Sequence, residues 1–98
     1  MKRYHINIKP TAENDLETRY VQIAEDSPQN ALNWYLSIVE AIKKLDTMAE
    51  RCPIAPEDED IQLGIRHLII GSYRVLYKID GDTVDVLHVR HSAKKRVL

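Results

Sequence analysis

A chain of 98 residues, 44% apolar and 30% charged, has room for one hydrophobic core and too much apolar content for a disordered chain, so a single globular domain over 1–98 is expected. No apolar run approaches the length of a membrane span, Cys52 has no second cysteine to pair with, and no apolar stretch follows the basic start as in a secretory signal, so the expectation is a cytoplasmic protein. The net charge of −1 conceals a polarity: residues 1–60 carry seven Lys/Arg against twelve Asp/Glu, and residues 61–98 carry seven against three. A basic C-terminal part suits contact with nucleic acid or an acidic partner; chance imbalance in a small chain is the competing explanation.

Tyr4, Ile6 and Ile8 alternate with polar residues, which predicts a half-buried strand ended by Pro10. Thr11 is a suitable N-cap, and Glu13 and Asp15 suit a first turn. A helix is predicted over 12–25, with Leu16, Tyr20 and Ile23 inward. Asp26-Ser27-Pro28 stops that helix and starts another, Ser27 as cap and Pro28 at the first position. The second helix is predicted to reach residue 50, because Ala31, Tyr35, Ile38, Ile42, Leu45 and Ala49 repeat at spacings of three and four. So short a break forces an antiparallel αα-hairpin.

Cys52-Pro53-Ile54-Ala55-Pro56 breaks the second helix, and Glu57-Asp58-Glu59-Asp60 reads as a solvated acidic loop. Adjacent carboxylates with no histidine or turn glycine make a poor metal site, so no metal is expected. Three strands follow over 64–70, 72–79 and 83–90, joined by turns at Gly71-Ser72 and Asp80-Gly81-Asp82. The order is β-α-α-β-β-β, an α+β fold with an antiparallel sheet and the long αα-hairpin packed on one face. The other face is left to water or a partner.

Within the middle strand, Tyr73, Val75, Tyr77 and Ile79 share one face; Arg74, Leu76 and Lys78 share the other. The apolar set belongs under the helices, so Arg74 points to the open face. An even-numbered loop puts Val84, Val86, His88 and Arg90 on the core side and Asp85, Leu87, Val89 and His91 beside Arg74. A three-residue loop instead brings His88 and Arg90 to Arg74. The even loop is preferred because it joins Val84 and Val86 to the core. A guanidinium fork matches phosphate, and an imidazole transfers protons near neutrality. Arg74 and His91 therefore suit binding or cleavage of a phosphodiester. The plainer alternative pairs Arg74 with an acid such as Asp85 and leaves His91 solvated at a strand end.

The element order, with "SP" between the helices, "CPIAPE" after them, "GIRHLIIGSYRVLYKIDGDTV" and "VLHVRHSAKK", resembles the RelE/ParE superfamily, the toxins of bacterial type II toxin–antitoxin modules. The resemblance spans nearly the whole chain and is sharpest over Tyr73 to Ile79 and the following "VRH". It implies one of two activities on one fold. RelE-like members are metal-independent endoribonucleases that cut mRNA in the ribosome; ParE-like members inhibit DNA gyrase and are not nucleases. In both, a cognate antitoxin wraps the toxin in a hetero-oligomer, and promoter DNA is bound only through the antitoxin.

The resemblance gives Arg74 and His91 catalytic roles if the chain is a nuclease. Arg66 and Arg90 would then assist, and Lys94, Lys95 and Arg96 would contact nucleic acid or another target. No cofactor is implied. No lysine lies between Lys44 and Lys78 and no tyrosine follows Tyr77, where RNA-cleaving members carry such residues. The expectation thus tilts to the ParE-like activity, with the mRNA nuclease as alternative and an inert antitoxin-binding remnant as a third reading.

Overall fold

The computed structural model describes residues 3–91. Strand β1, His5–Ile8, runs directly into helix α1, Pro10–Asp26. Pro10 takes the first helical position, where its missing N–H costs nothing, so it starts the helix as well as ending the strand. Thr11 is consequently inside the helix, and its hydroxyl donates to the Leu87 carbonyl at 2.6 Å. Ser27 joins α1 to α2, Pro28–Lys43; its hydroxyl accepts the Asn30 amide at 3.2 Å, and Pro28 stands at the first position as predicted.

The second helix is not continuous to residue 50. It pauses at Lys44, whose amide is shared between the Glu40 and Ala41 carbonyls, and resumes as α3, Leu45–Met48, and a 3-10 turn, Ala49–Arg51. The apolar seam survives the pause: Ala31, Ile38, Ile42, Leu45 and Ala49 are all buried. Tyr35 is the exception, 38% exposed, its ring edge-on to Tyr20 of α1 at 5.9 Å.

A short helix α4, Asp58–Ile61, precedes β2, Arg66–Ile70, β3, Tyr73–Asp80, and β4, Thr83–His91. The sheet order is β1-β4-β3-β2. The expected antiparallel order holds across β2, β3 and β4, whereas β1 pairs with β4 in parallel, so the sheet is mixed. The long connection that a parallel neighbour requires is supplied by everything between β1 and β4, the helical hairpin included. The main core, built from Tyr4, Leu16, Ile38, Ile42, Leu45, Val75, Tyr77, Val84 and Val86, lies between the helical hairpin and one sheet face.

The last hairpin has an even, two-residue loop: Asp80 pairs with Thr83 and Ile79 with Val84, with Gly81 at φ +61 making the turn. The parity predicted for Val84 and Val86 therefore holds. It fails further along, because Tyr77 pairs with Val86 but Leu76 pairs with His88. Leu87 is the extra residue of a β-bulge, and every later residue of β4 changes sides.

The second sheet face is also not open throughout. A strap, residues 53–65, folds across it. Ala55 and Ile65 pack on Leu76 and Leu87 in a second small core. The Ala55 amide donates to the Ile65 carbonyl at 2.8 Å, and the His67 amide to Pro53 at 3.1 Å. Asp58, far from being solvated, is buried; one of its carboxylate oxygens accepts the Leu63 and Ile65 amides at 2.7 and 3.0 Å. Those bonds, Ile65's foremost, hold its carboxyl below the ordinary aspartate range.

Candidate functional site

Arg74 lies on the face under the strap, as its place among Tyr73, Val75 and Tyr77 requires. Its partner is Glu57 of the strap, not Asp85, which accepts instead from the Asn7 amide at 3.1 Å. The pairing is fork to fork: Arg74 Nη1 to Glu57 Oε1 at 3.0 Å and Nη2 to Oε2 at 2.5 Å. The two side chains are 11% and 21% exposed.

His67 of β2 stands one position diagonally from Arg74 across the strand pair, and its Nδ1 is 3.2 Å from Arg74 Nη1. Arg90 is directly opposite Arg74 on β4, and its Nη1 lies 3.9 Å from Glu57 Oε2. Three nitrogen-bearing side chains thus converge around one carboxylate. The Arg74 hydrogen bonds hold the Glu57 carboxyl down to about 2 from 4.5, against the opposing effect of burial. The same contact raises Arg74 above its ordinary value. Burial, and then the Arg74 charge, lowers His67, so its neutral form is favoured beside the guanidinium.

His91 does not join this group. The Leu87 bulge pairs it with Tyr73, and its ring meets the Tyr73 ring edge-on at 4.8 Å. Tyr73 in turn packs on Trp34 at 5.3 Å and accepts a hydrogen bond from Arg19 Nε at 2.6 Å. The expectation that His91 shares a face with Arg74 is corrected by that one inserted residue. Arg66 points away from the Arg74 cluster. Its Nη1 donates to the Cys52 carbonyl at 2.5 Å and fastens the end of the 3-10 turn to β2. Lys94, Lys95 and Arg96 lie outside the described residues.

His67 is the residue that sequence reasoning missed, and the signal was present. A two-residue Gly71-Ser72 turn pairs Ile69 with Arg74 and, by alternation, puts His67 on the same face. For Glu57 the signal was partial: the resemblance offers Glu57 or Glu59 as the base of a related subgroup, and nothing in a run of four acids distinguishes the one that folds inward. Among the described residues, no group of three or more His, Cys, Asp or Glu side chains gathers to hold a metal ion.

A second surface lies on the helical hairpin. Leu16 and Tyr20 of α1 face Leu32 and Tyr35 of α2 along a groove rimmed by Glu13 and Glu17. Leu32 and Tyr35 are each at least 38% exposed there.

The sequence model of the ParE toxin of the type II toxin–antitoxin system, parDE, matches residues 6–96. Similar solved structures include a chromosomal ParDE system from P. aeruginosa, 21% identical with a TM-score of 0.76, covering 91% of this chain and 96% of that one. Another is the RelBE2 toxin–antitoxin complex from Mycobacterium tuberculosis, 28% identical with a TM-score of 0.62, covering 91% and 98%. No curated protein sequence matches the chain significantly.

Proposed function

We propose, from the premise that this chain belongs to the ParE toxin family of type II toxin–antitoxin systems, that it arrests growth by inhibiting DNA gyrase in the cytoplasm. A cognate antitoxin neutralises it. The apolar groove between α1 and α2 is one docking surface for that partner, because exposed Leu32 and Tyr35 line it. The uncovered part of the second sheet face, with Ile69 60% exposed, is another.

The observation that carries the non-nuclease reading is the position of His91. Arg74 alone can steady a phosphate, but cleavage needs a proton donor or acceptor in reach. The bulge turns His91 to the far side of β4, against Tyr73. Glu57, which does reach Arg74, is a poor base near neutrality with its carboxyl held at about 2.

One observation favours the alternative, ribosome-dependent cleavage of mRNA. His67 is 3.2 Å from Arg74 and its neutral form is favoured, which suits a proton acceptor beside the arginine, a different role from the proton donor expected of His91. The test is a pair of assays after expression without antitoxin. Purified toxin should abolish gyrase supercoiling while cellular mRNA acquires no new 5′ ends. Clusters of new 5′ ends within translated codons, with supercoiling intact, would overturn the gyrase reading and make His67→Ala the first variant to build.

A further inference from the structure

The groove between α1 and α2 has an apolar floor and a charged rim. Leu16 of α1 is buried, and the Tyr20 and Tyr35 rings join the two helices edge-on at 5.9 Å. Leu32 and Tyr35 leave 42% and 38% of their surface to solvent. The charged residues that line the groove are Glu13 and Glu17; among the described residues no Lys, Arg or His lines it. Both carboxylates are exposed, and neither pairs with a cation among the described residues.

Helix stability does not account for the pair. Glutamates four residues apart lie on one helix face and repel. Glu13 is offset by its place in the first turn of α1, where the helix dipole favours an anion. Glu17 lies a further turn along, beyond that effect, and Val21, four residues on, offers it no cation. The two acids instead border an exposed apolar surface whose walls keep helical spacing, Leu16 and Tyr20 four apart, Leu32 and Tyr35 three apart. From Glu13 to Tyr20 the wall runs for about 10 Å, or about two turns. A third helix laid along such walls meets them with its own apolar residues three and four apart, and its flank toward α1 passes both carboxylates.

We propose that Glu13 and Glu17 are specificity-determining residues, which select as occupant of this groove an amphipathic helix of the antitoxin with Lys or Arg at two positions one turn apart beside its apolar stripe. The inference rests on the reading of the groove as an antitoxin surface and adds the charge of the segment that enters it. A helix with the same stripe but acidic flanks is rejected, because it sets carboxylate against carboxylate. The rim is exposed, so its ion pairs sort partners more than they tighten the complex.

The test offers the full chain a displayed library of helices of about 20 residues, long enough to fold, with the apolar stripe fixed and the flanking positions drawn from Lys, Gln and Glu. Wild type should enrich Lys at two flanking positions one turn apart. The selected helix should bind about fivefold tighter than its Gln counterpart at low salt, the gain fading as salt rises. Glu13→Gln/Glu17→Gln should lose both the enrichment and the gain. Glu25→Gln/Glu59→Gln, which removes two exposed carboxylates elsewhere, should keep both. Leu32→Asp marks binding at the groove. Helices that need Leu32 but show no charge preference, or the same preference on Glu13→Gln/Glu17→Gln, would overturn the specificity and leave the groove as a docking surface. Helices indifferent to Leu32→Asp would overturn both. Lys enrichment that emerges only once residues 92–98 are removed would give the rim to the chain's own Lys94, Lys95 and Arg96 and overturn the choice of partner.

Discussion

The Glu57–Arg74 fork makes a prediction about acid stability whose size follows from the shift in Glu57. Its carboxyl is held at about 2 in the fold, against an ordinary value of 4.5. A depressed acid contributes stability that is complete above its unfolded pKa and is lost as pH falls through its folded pKa. The relevant window therefore runs from about pH 5 down to about pH 2. At about 1.4 kcal/mol per unit, the contribution at pH 7 has a ceiling of about 3 kcal/mol; solvent screening and the hydrogen bonds that glutamine retains lower it to about 2. At pH 3 less than half of this should remain. Urea unfolding of wild type and Glu57→Gln, followed by circular dichroism, reads the difference directly. The variant should be about 2 kcal/mol less stable at pH 7 and within about 1 kcal/mol of wild type at pH 3. A gap of the same size at both values would refute the assignment of the shift to ionised Glu57, and a gap of zero at pH 7 would refute the fork itself.

Tyr77 is fully buried and donates its hydroxyl to the Ala49 carbonyl at 2.6 Å, with burial raising its pKa so that the donor stays protonated. Tyr77→Phe strands that carbonyl and should cost about 1–2 kcal/mol in urea unfolding; an unchanged midpoint would mean the bond contributes nothing. Asp58→Ala should accelerate amide exchange at Leu63 and Ile65 while leaving α1 and α2 protected, because the carboxylate is the acceptor for both amides. Uniform acceleration across the helices would show instead that the strap unfolds only with the whole domain.

The elements were largely legible in the sequence because each carries a local signature. Ser27-Pro28 marks a cap and a first turn, the three-and-four spacing from Ala31 to Ala49 marks a buried helical seam, and alternation across Tyr73 to Ile79 sorts Arg74 from the core. What the sequence did not disclose depends on contacts between distant residues. The parallel pairing of β1 with β4 is one such contact. The folding of residues 53–65 across the sheet is another: Ala55 and Ile65 become core only because Leu76 and Leu87 offer them a surface. Glu57 and Asp58 are neighbours in an acidic run, yet one meets a guanidinium and the other two backbone amides. Composition cannot separate them.

The bulge at Leu87 shows how such long-range contacts decide the chemistry of the site. β1 accompanies β4 only as far as Val86, where the Lys9 amide donates to the Val86 carbonyl. Past that point the edge of β4 would be unpaired, and α1 takes over. Thr11 donates to the Leu87 carbonyl, and Asp15 accepts from the Val89 amide and meets His88 Nδ1, each at 3.0 Å. The extra residue is accommodated where the strand changes from a strand neighbour to a helix neighbour. Side-chain alternation on β4 is then reversed for the rest of the strand. Arg90, and not His91, comes to lie beside Arg74. A single inserted residue, held by two polar side chains more than seventy positions earlier, thus puts Arg90 opposite Arg74 where the unbroken register would have put Val89, and moves His91 to the other face. The one imidazole beside Arg74 is therefore that of His67 on β2, and the second guanidinium adds to the positive charge that Glu57 meets.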